Sequence, residues 1–195
     1  MTRVAGLVLA AGEGRRFGGP KALAELGGER LVDRAARVLR EGGCDPVYVV
    51  SGAVELEVPG ATTVPNSDWR TGMGSSLRTG LVALPDTVDG VVISLVDQPG
   101  IGADVVARLR ERLSAGTQLA VASYDGAQRN PVAVARGLWA AVLAETHGDE
   151  GARGFIRGHP DLVDTVDCTD IADPADIDTE AELAKHQRRA RGRPV

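Results

Sequence analysis

The chain has 195 residues, of which 43% are hydrophobic, enough to fill the core of one compact domain. Its formal net charge of -5 argues against general nucleic-acid binding and favours a small phosphorylated molecule as partner. No apolar run is long enough to span a bilayer and the first one leads straight into a glycine-rich stretch, so a cytoplasmic location without membrane association is expected. Cys44 and Cys168 lie far apart with no Cys/His spacing typical of zinc, which makes reduced thiols the default.

In chain order, residues 4–11 are too uniformly apolar for a surface strand and read as a central parallel strand buried between helical layers. The next residues, Gly12-Glu13-Gly14-Arg15-Arg16-Phe17-Gly18-Gly19-Pro20-Lys21, place four glycines and three cations at the sheet edge where ligands bind. Glycines let backbone N–H groups approach phosphate oxygens closely, and Arg15, Arg16 and Lys21 supply positive charge. Lys21 stands out because the chain has 20 arginines and only two lysines. A mobile ammonium can follow a phosphate whose geometry changes during reaction. An ordinary glycine-rich connection with solvated charges is the alternative. The loop is no Walker A motif, since Ala22 follows Lys21, and no dinucleotide fingerprint, since Phe17 stands where the third glycine belongs.

Residues 31–41 follow with a helical pattern, Leu31, Ala35, Val38 and Leu39 on one face, stopped by Gly42-Gly43. Strand 47–50, a short segment near Thr63 and Val64, a helix running through Leu84, a buried strand over 91–96 and a helix over 103–113 come next. Strand 119–123, a short rim strand at 132–134, a helix over 138–145, an extended segment at 163–167 and a helix over 179–185 complete the pattern. This alternation predicts a single-domain α/β, Rossmann-like three-layer sandwich around a mostly parallel sheet. The domain is expected over residues 1–187, with 188–195 a flexible basic tail.

Asp97 directly follows a buried strand, which delivers its carboxylate to the same edge as the glycine loop; a hard cation suits it there, a turn-capping role before Pro99 being the alternative. Ser75 and Ser76 open a helix, and their hydroxyls could cap it or bond a nucleobase edge. Asp178 before Thr179 could likewise be a helix N-cap. His147, His159 and His186 share no spacing that marks a catalytic group.

Taken together, the glycine loop, Asn66-Ser67-Asp68-Trp69-Arg70-Thr71-Gly72-Met73-Gly74-Ser75-Ser76-Leu77, Asp97-Gln98-Pro99, Gly148-Asp149-Glu150-Gly151-Ala152-Arg153 and Asp176-Ile177-Asp178-Thr179 resemble the MobA-like NTP transferases, in particular the molybdenum cofactor cytidylyltransferase branch. The resemblance covers nearly the whole chain and implies a nucleotide-diphospho-sugar-transferase-like fold. It implies transfer of CMP from CTP to a phosphorylated acceptor such as molybdenum cofactor, with pyrophosphate released. It places the nucleotide on Leu9, Ala10, Ala11, Gly12, Gly14, Arg15, Lys21, Ser76 and Asp97, with Arg15, Lys21 and Asp97 catalytic. Magnesium would sit on Asp97 and Asp178, Asp176 being the reserve ligand. CTP is favoured because guanine-using branches tend to carry glycine where Ala11 stands. Asn130 and Arg153 fall at the acceptor side, where Asn130 replaces a histidine usual in the family and cannot carry its charge. Two other readings stay open: an NAD(P)H-dependent reductase of the nicotine blue type, and a non-catalytic chaperone that carries molybdenum cofactor to a molybdenum hydroxylase apoenzyme.

Overall fold

A computed structural model describes residues 2–191. The elements are β1 (Val4–Leu9), the hairpin β2 (Glu25–Leu26) and β3 (Glu29–Arg30), α1 (Leu31–Glu41), β4 (Val47–Ser51), β5 (Thr62–Pro65), α2 (Met73–Ala83) and β6 (Gly90–Leu95). There follow α3 (Ala103–Ser114), β7 (Leu119–Tyr124), β8 (Ala127–Ala135), α4 (Trp139–Glu145), α5 (Arg153–Gly158), β9 (Val163–Asp167) and α6 (Glu180–Arg191).

Seven strands form one sheet in the order β5-β4-β1-β6-β8-β7-β9, and only β8 runs against the rest. All six residues of β1 are buried, as a strand covered on both faces requires. One apolar cluster joins that strand to α1 and α3, with Val8, Leu39, Val106 and Leu109 among its members. The other lies on the opposite face, where Leu7, Leu77, Val121 and Phe155 meet. Two glycines let the helices come this close. A Cβ on Gly6 would lie 2.9 Å from Leu39 Cβ of α1, and one on Gly80 of α2 would lie 2.6 Å from Leu7 Cδ1. Among the described residues no helix is long and apolar enough to cross a membrane.

The mostly parallel three-layer α/β architecture is therefore as expected. Helix α1 has the expected bounds, but its buried face is Leu31, Val32, Ala36, Val38 and Leu39, with Ala35 only half-buried. The short rim strand at 132–134 is corrected: β8 is nine residues long and lies inside the sheet, between β6 and β7. The pattern hides it because Ala127–Asn130 are polar or exposed and Pro131 interrupts the run. Val121 pairs with Val132 and Ala122 with Arg129, so Asn130 and Pro131 form an irregularity in the ladder, where a residue without an N–H is tolerated. Helix α6 runs to Arg191, beyond the expected end at 185; of the expected tail, residues 192–195 lie outside the described residues. Cys44 and Cys168 are both buried free thiols.

The order β5-β4-β1-β6 sets the position of the site. From β1 the chain moves outward to β4, and β6 then returns on the other side of β1. The carboxyl ends of β1 and β6 thus flank a topological switch point, the crevice where open α/β sheets bind ligands.

Candidate active site

The loop leaving β1 is a tight hairpin organised by Gly14, whose carbonyl accepts the N–H groups of Phe17 (2.9 Å), Gly18 (3.0 Å) and Gly19 (3.2 Å). Gly14 has φ +64°, and a Cβ there would collide with the Gly19 carbonyl oxygen. A side chain at this position would open the hairpin. Its far arm ends in a short 3-10 turn, Lys21–Leu23, which returns Lys21 toward the sheet.

Lys21 meets two carboxylates there. Its Nζ donates to Asp97 Oδ2 at 3.0 Å and to Asp178 Oδ1 at 2.6 Å, across 76 and 157 residues of sequence. Asp97 arrives on the end of β6. Asp178 comes from the late segment that folds back over the sheet edge, pinned by Ile177, which is fully buried and whose N–H donates to the Asp97 carbonyl at 2.8 Å. Inward-facing Ile177 separates its neighbours: Asp178 reaches Lys21, whereas Asp176 Oδ1 accepts from Gln98 Nε2 at 2.7 Å. Asp178 is not the cap of α6. Thr179 and Glu182 form that cap, Glu182 Oε2 accepting the N–H groups of Asp178 (2.7 Å) and Thr179 (2.8 Å) while Thr179 Oγ1 accepts the Glu182 N–H at 3.3 Å.

Burial pushes the Asp97 carboxyl above its ordinary pKa, with Lys21 pulling it part of the way back and Asp176 adding to the rise. The hydrogen bond from Lys21 holds Asp178 below its ordinary value against the cost of burial. For Lys21 itself burial is the largest influence and acts downward, but the bonds and charges of Asp178 and Asp97 together outweigh it and the net shift is upward. Lys21 thus favours the ionised form of both carboxylates, and burial opposes it most strongly at Asp97.

Asp97 Oδ1 is buried and has no hydrogen-bond partner among the described residues. That bare oxygen and the Asp178 carboxylate are hard donors of the kind magnesium takes in small number, completing its shell with water and phosphate oxygens. Among the described residues no three His, Cys, Asp or Glu side chains cluster as a metal cage, so an ion here would need ligands from the substrate. The residues present fit magnesium on those terms.

A cleft of about 600 Å³ lies over this triad, and Leu9, Ala11, Gly12, Gly14, Arg15, Lys21, Ser76, Asp97 and Asp178 all line it. Ala10 does not. Its side chain is buried on the α1 side of the sheet, and its N–H donates to the Val50 carbonyl at 3.0 Å. Arg15 is largely exposed and paired with Glu13, apart from the triad, while Arg16 lies 3.7 Å from Asp178 Oδ2. Asn130 and Arg153 are not in this cleft but line a small adjoining pocket of about 20 Å³, and the two cavities share Leu9, Met73 and Leu95. The helix-capping alternative for Ser75 and Ser76 is set aside, because neither side chain caps α2.

Several lining residues have no role assigned from sequence, Trp69, Arg70, Met73 and Asp149 among them. Trp69 carries the Arg70 guanidinium 4.4 Å over its ring at the cleft wall, and Met73 and Asp149 complete that side. One of only two tryptophans in the chain, set beside an arginine just ahead of a glycine turn, was the available signal. Behind Ser76, Asn66 is 4% exposed and bonds to it; a buried asparagine within a polar stretch gives no periodic signature.

Residues 6–164 match the family described as MobA-like NTP transferase domain. A nicotine blue oxidoreductase of Paenarthrobacter nicotinovorans is 38% identical over 193 residues, covering 92% of this chain and 94% of that one. A probable molybdenum cofactor guanylyltransferase of Opitutus terrae is 33% identical over 156 residues, covering 79% and 76%. The crystal structure of Rv0371C from Mycobacterium tuberculosis in complex with manganese superposes with a TM-score of 0.79 at 25% identity, covering 96% of this chain and 98% of that one. The hairpin, the sheet order and these similarities agree: the chain belongs to the MobA-like NTP transferase family.

Proposed function

We propose that the protein transfers a nucleoside monophosphate, CMP from CTP, to the terminal phosphate of an acceptor of the molybdenum cofactor type. The observation that carries this reading is the Lys21 ammonium held between Asp97 and Asp178 beside a glycine hairpin at the switch point of the sheet. An acceptor phosphate oxygen attacks the α-phosphorus, the bond from α-phosphorus to the bridging oxygen breaks, and pyrophosphate leaves with the electron pair. Chemistry of this kind needs positioning and stabilisation of developing charge, with no covalent intermediate. Lys21 stabilises the charge on the α-phosphate oxygens. The hairpin amides and Arg15 hold the β- and γ-phosphates, and Arg15 is free to turn because its partner Glu13 lies on the same exposed loop. Asp97 and Asp178 would hold magnesium, which neutralises phosphate charge when bound; the manganese complex of the Mycobacterium tuberculosis relative is in keeping with a divalent ion in this fold. Asn130 and Arg153, next to the cleft across Leu9 and Leu95, would meet the acceptor.

The Ala11 methyl supports a pyrimidine. It lines the cleft at the position where guanine-using branches tend to carry glycine. The guanylyltransferase relative makes GTP the competing nucleotide. The oxidoreductase relative favours a second reading, a pyridine-nucleotide reductase on the same scaffold, against which the missing third glycine at Phe17 counts.

Thermal unfolding with each of the four triphosphates plus magnesium, and separately with NADPH, distinguishes these readings, since a ligand that binds only the folded state raises the melting temperature. Pyrophosphate release with molybdenum cofactor as acceptor then tests the reaction. Stabilisation by CTP with acceptor-dependent pyrophosphate release is expected. A shift with GTP alone changes the nucleotide, and a shift with NADPH alone replaces the transferase reading.

A further inference from the structure

Asn66 and Ser76 are both only 4% exposed, and Ser76 lines the cleft. The Asn66 amide has a defined orientation, because its Oδ1 accepts the Asp68 N–H at 2.9 Å in an Asx turn. Its Nδ2 therefore faces α2 and donates to Ser75 Oγ at 2.9 Å and to Ser76 Oγ at 3.0 Å. From there the two serines diverge. Ser75 turns its hydroxyl back onto the chain, to the Gly72 carbonyl at 2.8 Å and the Asp68 carbonyl at 3.0 Å. Among the described residues nothing accepts the Ser76 proton. With an N–H already aimed at its oxygen, Ser76 has a hydrogen left to offer to whatever fills the cleft. A buried donor is costly without an acceptor, so the complementary ligand atom carries a lone pair.

We propose that Asn66 is a positioning residue that fixes Ser76 as a hydrogen-bond donor into the cleft, and that this polarity selects a nucleobase with an unprotonated ring nitrogen at that edge, cytosine rather than uracil. The inference rests on the nucleotidyl-transfer reading and deepens it. Cytosine and uracil have the same size, so the width of the cleft cannot separate them. They differ where Ser76 acts: cytosine N3 presents a lone pair and uracil N3 a hydrogen.

Asn66→Asp tests the idea by reversing one polarity with almost no change of shape. An aspartate keeps an oxygen for the Asp68 N–H but accepts from Ser76 instead of donating to it, which turns the lone pairs of Ser76 toward the cleft. Calorimetric titration with CTP and UTP in magnesium, without acceptor, is the measurement. The wild-type protein is expected to bind CTP about tenfold more tightly than UTP, on the scale of one matched against one mismatched hydrogen bond. Asn66→Asp should lose or invert that ratio, and Ser76→Ala should erase it without inversion. A probe that needs no variant is 3-deazacytidine triphosphate, with C–H in place of N3, which should bind the wild type about tenfold more weakly than CTP. An unchanged CTP-to-UTP ratio in a folded Asn66→Asp protein, or a 3-deaza analogue that binds like CTP, overturns the proposal. Equal binding of CTP and UTP by the wild type overturns it alone, whereas no binding of any triphosphate overturns the transferase reading beneath it.

Discussion

On the β1–β6 side of the cleft a lysine stands between two carboxylates; on the α2 side an asparagine amide stands between two hydroxyls. The charged centre ties together segments 76 and 157 residues apart, the neutral one a loop and the helix 9 and 10 residues on, and both leave one polar atom open, Asp97 Oδ1 in the first and the Ser76 hydroxyl in the second. On the proposed reading the charged centre responds to charge that grows during reaction, and loss of one member leaves a partly buried ion uncompensated. The neutral centre acts on the direction of a single proton and is nearly silent toward charge. If the two proposals hold, turnover and choice of base are separable on opposite walls, and substitutions should affect one without the other.

The largest expected effect comes from removing the cation. Lys21→Met should lower turnover by about 10²–10³-fold, the scale measured when one preorganised donor to a developing oxyanion is lost. The fold should survive, since Lys21 lies outside both apolar clusters. Single-turnover kinetics at saturating triphosphate, with far-ultraviolet circular dichroism as control, measure this; near-normal rates would remove Lys21 from the chemistry. The ratio of CTP to UTP affinity should be unchanged, because Ser76 and Asn66 are untouched.

Gly14→Ala should come next, and it sharpens the comparison by acting on phosphate grip alone. The added Cβ must adopt φ +64° and would collide with the Gly19 carbonyl, so the hairpin has to open. A left-handed alanine costs about 1–2 kcal/mol, so triphosphate affinity should fall by about tenfold or more. Titration with CTP, and with CMP as a control lacking the β- and γ-phosphates, should show the loss for CTP and little for CMP.

The charged wall was the legible one. A uniformly apolar strand followed by glycines and cations, and an aspartate at the end of a second such strand, are local patterns, and strand direction alone brings them to one edge. Asp178 could be placed only through resemblance, because what brings it in is the buried Ile177 and its bond to the Asp97 carbonyl, a contact across 80 residues without a local signature. The neutral wall was half legible: Ser76 opens a helix after a glycine turn, but Asn66 acts through another side chain. Strand β8 was underestimated because Pro131 and polar Gln128 to Asn130 mask a strand whose partners lie on both sides. The β2–β3 hairpin had a signal that was passed over, Gly27-Gly28 with both φ values positive, as a two-residue turn demands.

A smaller effect should follow from Thr179→Ala, which removes the hydroxyl that caps α6 and bonds Glu182. Loss of such a cap costs about 0.5–2 kcal/mol, measurable by chemical denaturation. Because the same cap holds the Asp178 N–H through Glu182, the variant should also weaken magnesium-dependent triphosphate binding more than magnesium-free binding. A stability loss with no change in that difference would show that the cap serves the helix alone.

The smallest effect is a change in pH response, and its sign separates the charged triad from an incidental ion pair. In the folded protein Asp97 already titrates above its unfolded value because it is buried, and Lys21 is what restrains the rise. Without Lys21 the folded carboxyl binds its proton still more tightly than the unfolded one. A carboxyl raised in the folded state favours folding while protonated and loses that advantage as pH climbs from its unfolded value through its folded one. Lys21→Met should therefore be more stable in mildly acidic buffer than at neutral pH, relative to wild type, in parallel denaturation series. Asp178 works in the opposite sense, since its depressed value adds stability that is present above its unfolded pKa and is lost as pH falls, and this contribution disappears with Lys21. Both changes tilt the variant the same way, so the double variant Lys21→Met/Asp97→Asn should lose the part of the tilt due to Asp97 and keep the part due to Asp178, and a tilt identical to that of Lys21→Met would remove Asp97 from the pH response.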